Sequence, residues 1–230
     1  MGNTQDLYSE HPKMPVAVDC VIFGYEDDEL KLLLYPRRFD PFKGEWSLMG
    51  GFVQDDESMD VTVKRVLNQT VGLENIYVEQ VGAYSDPQRD PGGRVISMAY
   101  YALIRINEHD KELVDQKGGK WWSISERPNI IFDHSQMITD ALEKLQNKAT
   151  YRLIGKELLP ATFTLTQLNN LYNAIFQKQF NPGNFRKKLA SLNLLEKQKT
   201  KDMQGSKRGA YLYKFKIERK DPQYERIVKL

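Results

Sequence analysis

Between Gly51 and Leu73 the chain sets one carboxylate, Glu57, eight residues before one guanidinium, Arg65, and closes the segment with Gly72. At that spacing a Glu in a loop can accept backbone N–H bonds and pair with an Arg on the following helix, which holds the turn. Holding a catalytic metal asks for more. A divalent ion such as Mg²⁺ wants a hard, near-octahedral oxygen shell, and its charge must neutralise the charge that develops on the substrate. Glu57 alone is a poor site for such an ion. Val66 has no lone pair, and Gln69 and Thr70 offer only neutral oxygens. One carboxylate beside neutral neighbours is a poor metal centre, so no metal site is expected here. Glu57 then stays as a structural or ligand-contacting group.

Other groups suit recognition. Arg37 and Arg38 can fork onto a phosphate, a carboxylate or a hydroxyl pair. Trp46 offers a flat ring for a sugar face. The segment from Asp86 to Asp90, with Gln88 and Arg89, offers carboxylates, an amide and a guanidinium for hydroxyls, although Asp86 and Asp90 also read as turn formers before proline and glycine. Asp133 reads as a helix N-cap and His134 as a packing residue. His11 and His109 stand alone, and no His/Cys cluster supports zinc.

The second part of the chain carries a different chemistry. From residue 151 onward there are 17 Lys and Arg against 6 Asp and Glu, a net of +11, while residues 1–150 net −9. A basic end on an acidic body points to a polyanion partner for that end alone. Asn184, Arg186, Lys187 and Lys188 lie off the apolar stripe of Phe185, Leu189 and Leu192. Arg and Asn can read base edges, and the lysines can meet phosphates. Thr164, Thr166 and Gln167 stand at a helix start, where hydroxyls and N–H groups can clamp a phosphate. Lys207 and Arg208 fall at a hairpin tip fit to reach a minor groove or backbone. The partner expected is double-stranded operator DNA.

The elements that must position these groups follow from periodicity. Residues 16–23 and 30–35 read as a hairpin, with residues 26–29 as its turn. Residues 46–48 are short and extended, and Gly50-Gly51 is expected to break them. Residues 60–70 form a helix with Gly72 at its C-cap. Residues 76–84 and 95–106 are strands, residues 121–123 a short strand, and residues 134–148 a helix. Residues 151–159 read as a linking helix. Residues 166–176 and 184–192 are helices around a turn, and residues 194–199 and 210–217 are the strands of a hairpin. Helix, turn, helix, hairpin is the order of a winged helix. Two domains are expected, 1–150 and 151–230.

The 230 residues are 40% hydrophobic and 11% aromatic, enough to bury real cores. No apolar run of spanning length and no secretory signal is visible, so no membrane partner and a cytoplasmic location are expected. Cys20 is a single thiol in an apolar run, which fits a reducing compartment.

The spacing of Gly51, Glu57, Arg65, Leu67, Gly72 and Leu73 resembles the signature of Nudix hydrolases. The lead-in from Pro36 to Arg38 and from Lys43 to Gly51 resembles theirs too, and the likeness covers residues 16–148. The metal-binding glutamates of that signature are here Val66, Gln69 and Thr70, so the resemblance implies a cleft that binds without cutting: not an enzyme, with no catalytic residue, no metal site and no cofactor. The Asp-Pro-Gln-Arg-Asp-Pro run from residue 86, and residues 159–168 through 180–189, resemble the Nudix-related transcriptional regulators. The likeness implies an α+β protein: a Nudix α/β/α sandwich with a mixed sheet, followed by a winged helix-turn-helix domain. It implies a ligand-responsive repressor, working as a homodimer, whose effector changes the spacing of two winged helices. Over the whole chain the likeness is closest to the arabinose-utilisation regulators of Bacteroidetes, which implies L-arabinose as effector. A second branch of regulators senses ADP-ribose in NAD metabolism, and no residue pattern chooses between the two. A Nudix pyrophosphatase with an accessory basic domain, or a nucleic-acid adaptor with no effector, are the rival classes.

Overall fold

A computed structural model describes residues 9–72, 76–106, 108–203, 208–216 and 227–228. In chain order the elements are β1 (Val16–Glu26), β2 (Glu29–Pro36), β3 (Trp46–Ser47), β4 (Met49–Phe52), α1 (Met59–Val71), β5 (Tyr77–Tyr84), β6 (Ile96–Arg105), α2 (Glu108–Gln116), β7 (Lys120–Ser123), α3 (His134–Tyr151), β8 (Phe163–Thr164), α4 (Leu165–Phe176), α5 (Pro182–Leu192), β9 (Leu195–Asp202) and β10 (Ala210–Phe215).

β1 is the axis of the first half because it is apolar on both faces. Val18, Cys20 and Ile22 pack with Val63, Val66 and Leu67 of α1, while Val21 and Phe23 pack with Met137, Ile138 and Leu145 of α3. That period of two leaves one helical layer on each side of the sheet. β1 runs parallel to β6 and antiparallel to β2 and β4, so the sheet is mixed, in the order β3-β2-β1-β6-β5 with β4 on β1 and β7 on β2. The β1–β2 hairpin closes through Asp27 and Asp28, both left-handed at φ 51° and 61°, which is the geometry a two-residue turn demands.

Two local expectations are corrected, and two elements went unread. Gly50-Gly51 does not break a strand; both lie inside β4, and a Cβ at Gly50 would collide with Asp19 Oδ1, so the glycine permits close pairing with β1. Residues 152–162 are not helical. Helix α3 ends at Tyr151, Arg152 is extended, and Ile154, Leu158 and Leu159 plug the core at helix-like spacing from an irregular segment. Helix α2 went unread because Leu113 and Val114 are its only large apolar residues. The two-residue β8 also went unread; it pairs with β10 and adds a third strand to the wing sheet.

α4, α5 and the β9–β10 hairpin form a winged helix. Its core, around Phe163, Leu168, Tyr172 and Phe185, is continuous with the core under α3. The boundary expected between residues 150 and 151 falls in the last turn of α3. Gln146 Nε2 on that helix donates to Ile175 O on α4 at 2.9 Å.

Candidate functional site

Helix α1 starts at the N-cap Ser58, whose side chain accepts from Val61 N–H, and ends where Gly72 turns left-handed at φ 69°. Those caps fix the loop that holds Glu57. The Arg65 fork grips Glu57 through Nε to Oε1 and Nη2 to Oε2, each at 2.7 Å, and Thr62 Oγ1 donates to Oε2 at 2.9 Å. Arg65 first, then Thr62, hold the Glu57 carboxyl down to about 2. Val66 and Thr70 are buried, and the Thr70 hydroxyl donates to Val66 O at 2.6 Å. Gln69 faces solvent. This donor set does not fit a divalent ion: its one carboxylate is spent on Arg65, and the neighbouring positions supply methyls and a self-satisfied hydroxyl. Among the described residues no group of three or more His, Cys, Asp or Glu is arranged to hold a metal ion. Leu73, the last position of the signature, lies outside the described residues.

A second cluster, on the α3 face of the sheet, was missed in the sequence. Asp19 is the one charged residue in the apolar run 16–23 of β1, and alternation points it toward α3. Ser97 Oγ donates to Asp19 Oδ2 at 2.6 Å. Arg89 makes a two-pronged pair with Asp133, Nε to Oδ2 at 2.9 Å and Nη2 to Oδ1 at 2.8 Å, and its Nη2 lies 3.5 Å from Asp19 Oδ2. The Arg89 side chain is only 4% exposed. His134 Nδ1 accepts from Leu48 N–H at 3.2 Å, and Nε2 faces Asp19 Oδ1 at 3.6 Å. Burial holds His134 below its ordinary pKa against the pull of Asp19 and Asp133. The signal for this cluster was a lone Asp inside a buried strand, which has to be satisfied from elsewhere.

These contacts reassign several candidates. Arg89 is committed to Asp133 and Asp19 rather than free for a ligand, and Asp133, the N-cap of α3, gives its carboxylate to Arg89 and makes no side-chain cap bond. Asp86 Oδ1 accepts from Gln88 N–H and Asp90 Oδ1 from Gly92 N–H, both at 2.7 Å, so the two carboxylates shape the 85–93 loop. Trp46 is half-buried edge-on against Trp122 at 5.4 Å, a packing residue rather than an open sugar platform. Arg37 lies over the Phe39 and Phe132 rings, at 4.4 and 4.9 Å. Arg38 is exposed, and its guanidinium donates to Lys117 O at 3.3 Å. Glu57 is tied to α1 and Arg89 to α3, on opposite faces of the sheet, so the candidate residues do not form one contiguous contact set.

In the second half, Phe185, Leu189 and Leu192 are buried as their spacing requires, and Asn184, Arg186 and Lys187 are exposed along α5. Arg186 Nη2 donates to Thr166 Oγ1 at 3.1 Å, joining the start of α4 to α5. Thr164 and Gln167 are spent on a reciprocal cap of α4: Gln167 N–H donates to Thr164 Oγ1 at 3.1 Å and Thr164 N–H to Gln167 Oε1 at 2.8 Å. Thr164 is buried, so it serves the helix start instead of presenting a hydroxyl to DNA. Arg208 is exposed beside the wing, and Lys207 lies outside the described residues. The wing adds cations that were not singled out. Lys197 and Lys201 of β9 both lie over the Tyr211 ring, at 3.5 and 4.8 Å. Among the described residues no helix is long and apolar enough to cross a membrane.

Residues 13–141 match the NUDIX domain and residues 155–215 the NrtR DNA-binding winged helix domain. NrtR of Shewanella oneidensis, solved with a 27mer DNA, is 32% identical, covers 87% of this chain and 93% of its own, and superposes with a TM-score of 0.78. Its isolated NUDIX domain was solved complexed with ADP ribose. An ADPR responsive transcriptional repressor of Acinetobacter baylyi is 29% identical over 96% of this chain and 89% of its own. An ADP-ribose pyrophosphatase of Methanocaldococcus jannaschii is 35% identical over 56% of this chain and 73% of its own. The fold, the paired domain matches and the superposition agree: the chain belongs to the NUDIX family, in the group that joins a NUDIX domain to an NrtR-type winged helix.

Proposed function

We propose that this chain is a transcriptional repressor that binds ADP-ribose in its NUDIX domain, does not hydrolyse it, and binds operator DNA through α5 and the wing. The observation that carries the reading is the fate of the signature carboxylates. Glu57 is neutralised by Arg65, while Val66 and Thr70 are buried. A fold kept without its metal donors is suited to sensing. The relatives from Shewanella and Acinetobacter support the effector, since one was solved with ADP ribose and the other is described as ADPR responsive. The L-arabinose expected from whole-chain likeness has no support from these relatives and becomes a control ligand.

The route of the signal follows from α3. It starts at His134, inside the Asp19–Arg89–Asp133 cluster, and ends at Tyr151 against the winged helix, a rod of about 27 Å at 1.5 Å per residue. A ligand that shifts the 85–93 loop pulls on Asp133 through Arg89 and thereby on the whole helix. In a homodimer, with the division at 150/151 separating sensor from reader, a small tilt of α3 changes the spacing of two recognition helices. DNA half-sites repeat at about 34–36 Å, so such a tilt releases one of them.

The test is a gel shift on operator DNA with and without ADP-ribose, run beside a product assay with Mg²⁺ or Mn²⁺. Release of DNA by intact ADP-ribose supports the reading. Metal-dependent turnover at enzyme-like rates of about 1–10³ s⁻¹ overturns it in favour of a pyrophosphatase.

A further inference from the structure

We propose that Phe39 and Phe42, with the Arg37 guanidinium over the Phe39 ring, form a stacking platform for the purine base of a nucleotide effector; this rests on the ADP-ribose reading above.

The 37–44 loop exposes two large aromatic side chains, Phe39 at 59% and Phe42 at 48%. The rings are built into an ordered stack rather than left at random. Arg37 lies over the Phe39 ring at 4.4 Å and over the Phe132 ring at 4.9 Å, and its Nε donates to Phe39 O at 3.0 Å, which fixes the plane of the guanidinium. Phe42 meets Phe132 edge-on at 5.6 Å, and Phe132 meets His134 edge-on at 5.3 Å. The ladder therefore runs from solvent to the buried Asp19 cluster at the head of α3. Phe42 and Phe132 both hold left-handed backbone, at φ 65° and 55°, a conformation that bulky residues seldom adopt. Strain of that kind persists only where the surroundings enforce it, and it gathers at ligand sites.

The chemistry of the rim selects the ligand. Arg37, Arg38 and Lys43 give the loop three cations against the single Asp40. Flat π faces with a guanidinium beside them suit a planar heteroaromatic ring that carries phosphate. A neutral sugar would need carboxylates and amides around one ring, and the Asp86 and Asp90 carboxylates of the adjoining 85–93 loop are spent on their own turns. The 85–93 loop closes the other side: a Cβ at Gly92 would lie 3.2 Å from Pro41 Cδ, so the two loops touch. A base stacked on Phe39 and Phe42 would press on the loop that holds Arg89, and so reach α3.

The experiment is calorimetric titration of the full chain with ADP-ribose, AMP and ribose 5-phosphate, comparing wild type with Phe39→Ala/Phe42→Ala and with the milder Phe39→Leu/Phe42→Leu. The leucines keep apolar bulk and remove only the π faces, so they decide the matter if the alanine pair fails to fold. A base–aromatic stack of about 1–3 kcal/mol corresponds to about a 5- to 150-fold change in Kd. The expected result is a loss of about tenfold or more for ADP-ribose and AMP, with ribose 5-phosphate unchanged. Equal affinity of wild type and both variants for ADP-ribose overturns the platform and leaves the ADP-ribose reading standing. Equal loss of ribose 5-phosphate also overturns it, because the loop would then be holding phosphate alone. Wild type that binds AMP but not ADP-ribose, with AMP lost in the variants, defeats the proposed effector and keeps the platform. Wild type that binds neither nucleotide defeats both.

Discussion

Asn170 of α4 donates through Nδ2 to Asp28 Oδ2 in the first hairpin at 2.7 Å, a direct bond between the two halves of the chain. Tyr25 OH donates to the other oxygen of the same carboxylate at 3.0 Å. The left-handed turn at Asp27 and Asp28 is what aims that carboxylate at α4. Tyr25, Asp28 and Gln167 line one small crevice, so the sensor hairpin stands beside the start of the helix-turn-helix.

If this bond helps set the pose of the reader, Asn170→Ala loosens the coupling and leaves the reading surface intact. The loss of one such hydrogen bond is worth about 1 kcal/mol, roughly fivefold in a balance of states. The ADP-ribose concentration for half-release of operator DNA is expected to move several-fold, with ligand-free DNA affinity changing by a smaller factor. An unmoved midpoint in the ligand titration would detach this contact from signalling.

Much of this was legible in the sequence, for physical reasons. Buried strands and amphipathic helices write their period directly, as in β1, α3 and the stripe of Phe185, Leu189 and Leu192. Cap chemistry was legible too at Gly72, whereas the start of α5 was not: Asn181 caps the helix and Pro182 opens it, two residues before the expected start at Asn184. What stayed hidden was anything fixed by partners distant in sequence. Asp19 is one letter in an apolar run, and its meaning lies in Arg89 and Ser97, far along the chain. Trp46 has the right chemistry to stack on a ligand but the wrong neighbour, Trp122. Phe39 and Phe42 were not singled out in the sequence, and only the structure marks them, by leaving them exposed.

Arg89→Met tests the buried cluster. Removing the cation leaves the Asp133 and Asp19 carboxylates facing each other without compensation, and breaking a buried pair in this way costs about 3–5 kcal/mol. Chemical denaturation is expected to show a loss near the lower end of that range, because Asp133 is 24% exposed and water relieves part of the charge. A stability within about 1 kcal/mol of wild type, the worth of an exposed pair, would mean the network is a surface pair in solution.

His134 gives the cluster a pH dependence of defined sign. Its pKa is lowered in the fold, chiefly by burial, while in the unfolded chain it titrates near the ordinary 6.5. The unfolded state therefore binds the extra proton first. Stability from this group is full above about pH 6.5 and falls as the pH drops below it, with a limiting slope of about 1.4 kcal/mol per pH unit. Asp19, Asp133, Arg89 and Arg37 surround the ring and are common to wild type and variant. Denaturation midpoints are expected to fall more steeply for wild type than for His134→Asn as the pH is taken from about one unit above 6.5 to about one unit below it. Parallel curves would refute the assignment.

Glu57→Gln separates the structural reading of the box from a residual catalytic one. The Glu57 carboxyl sits at about 2 in the fold against an ordinary 4.5, so its contribution is complete above about pH 4.5 and is lost as the pH falls toward 2. The Tm of wild type is expected to drop through that window, and the variant to lack this part of the drop. At neutral pH the variant is less stable, yet binds ADP-ribose as wild type does and still releases no product. A variant that loses ligand binding while keeping its Tm would place Glu57 in the effector site.

The two threonines at the start of α4 make opposite predictions, which is the sharpest check on the DNA-reading surface. Thr164 is buried and capped by Gln167, so Thr164→Ala removes an N-cap worth about 1 kcal/mol of stability. Its DNA affinity, measured on the folded fraction, is expected to stay close to that of wild type. Thr166 is exposed and holds Arg186 Nη2 at 3.1 Å. Thr166→Ala leaves stability nearly unchanged and frees the Arg186 side chain, so DNA affinity falls while the cap remains. Arg186→Ala/Lys187→Ala is expected to abolish operator binding with effector affinity intact, since both side chains lie on the exposed face of α5. For wild type, log Kd against log salt has a slope set by the number of phosphates neutralised, and a variant losing one phosphate contact flattens it by about 0.9. If Thr164→Ala weakened DNA binding more than Thr166→Ala did, the start of α4 would have to meet DNA through its cap, and the assignment of α5 as the reading helix would fail.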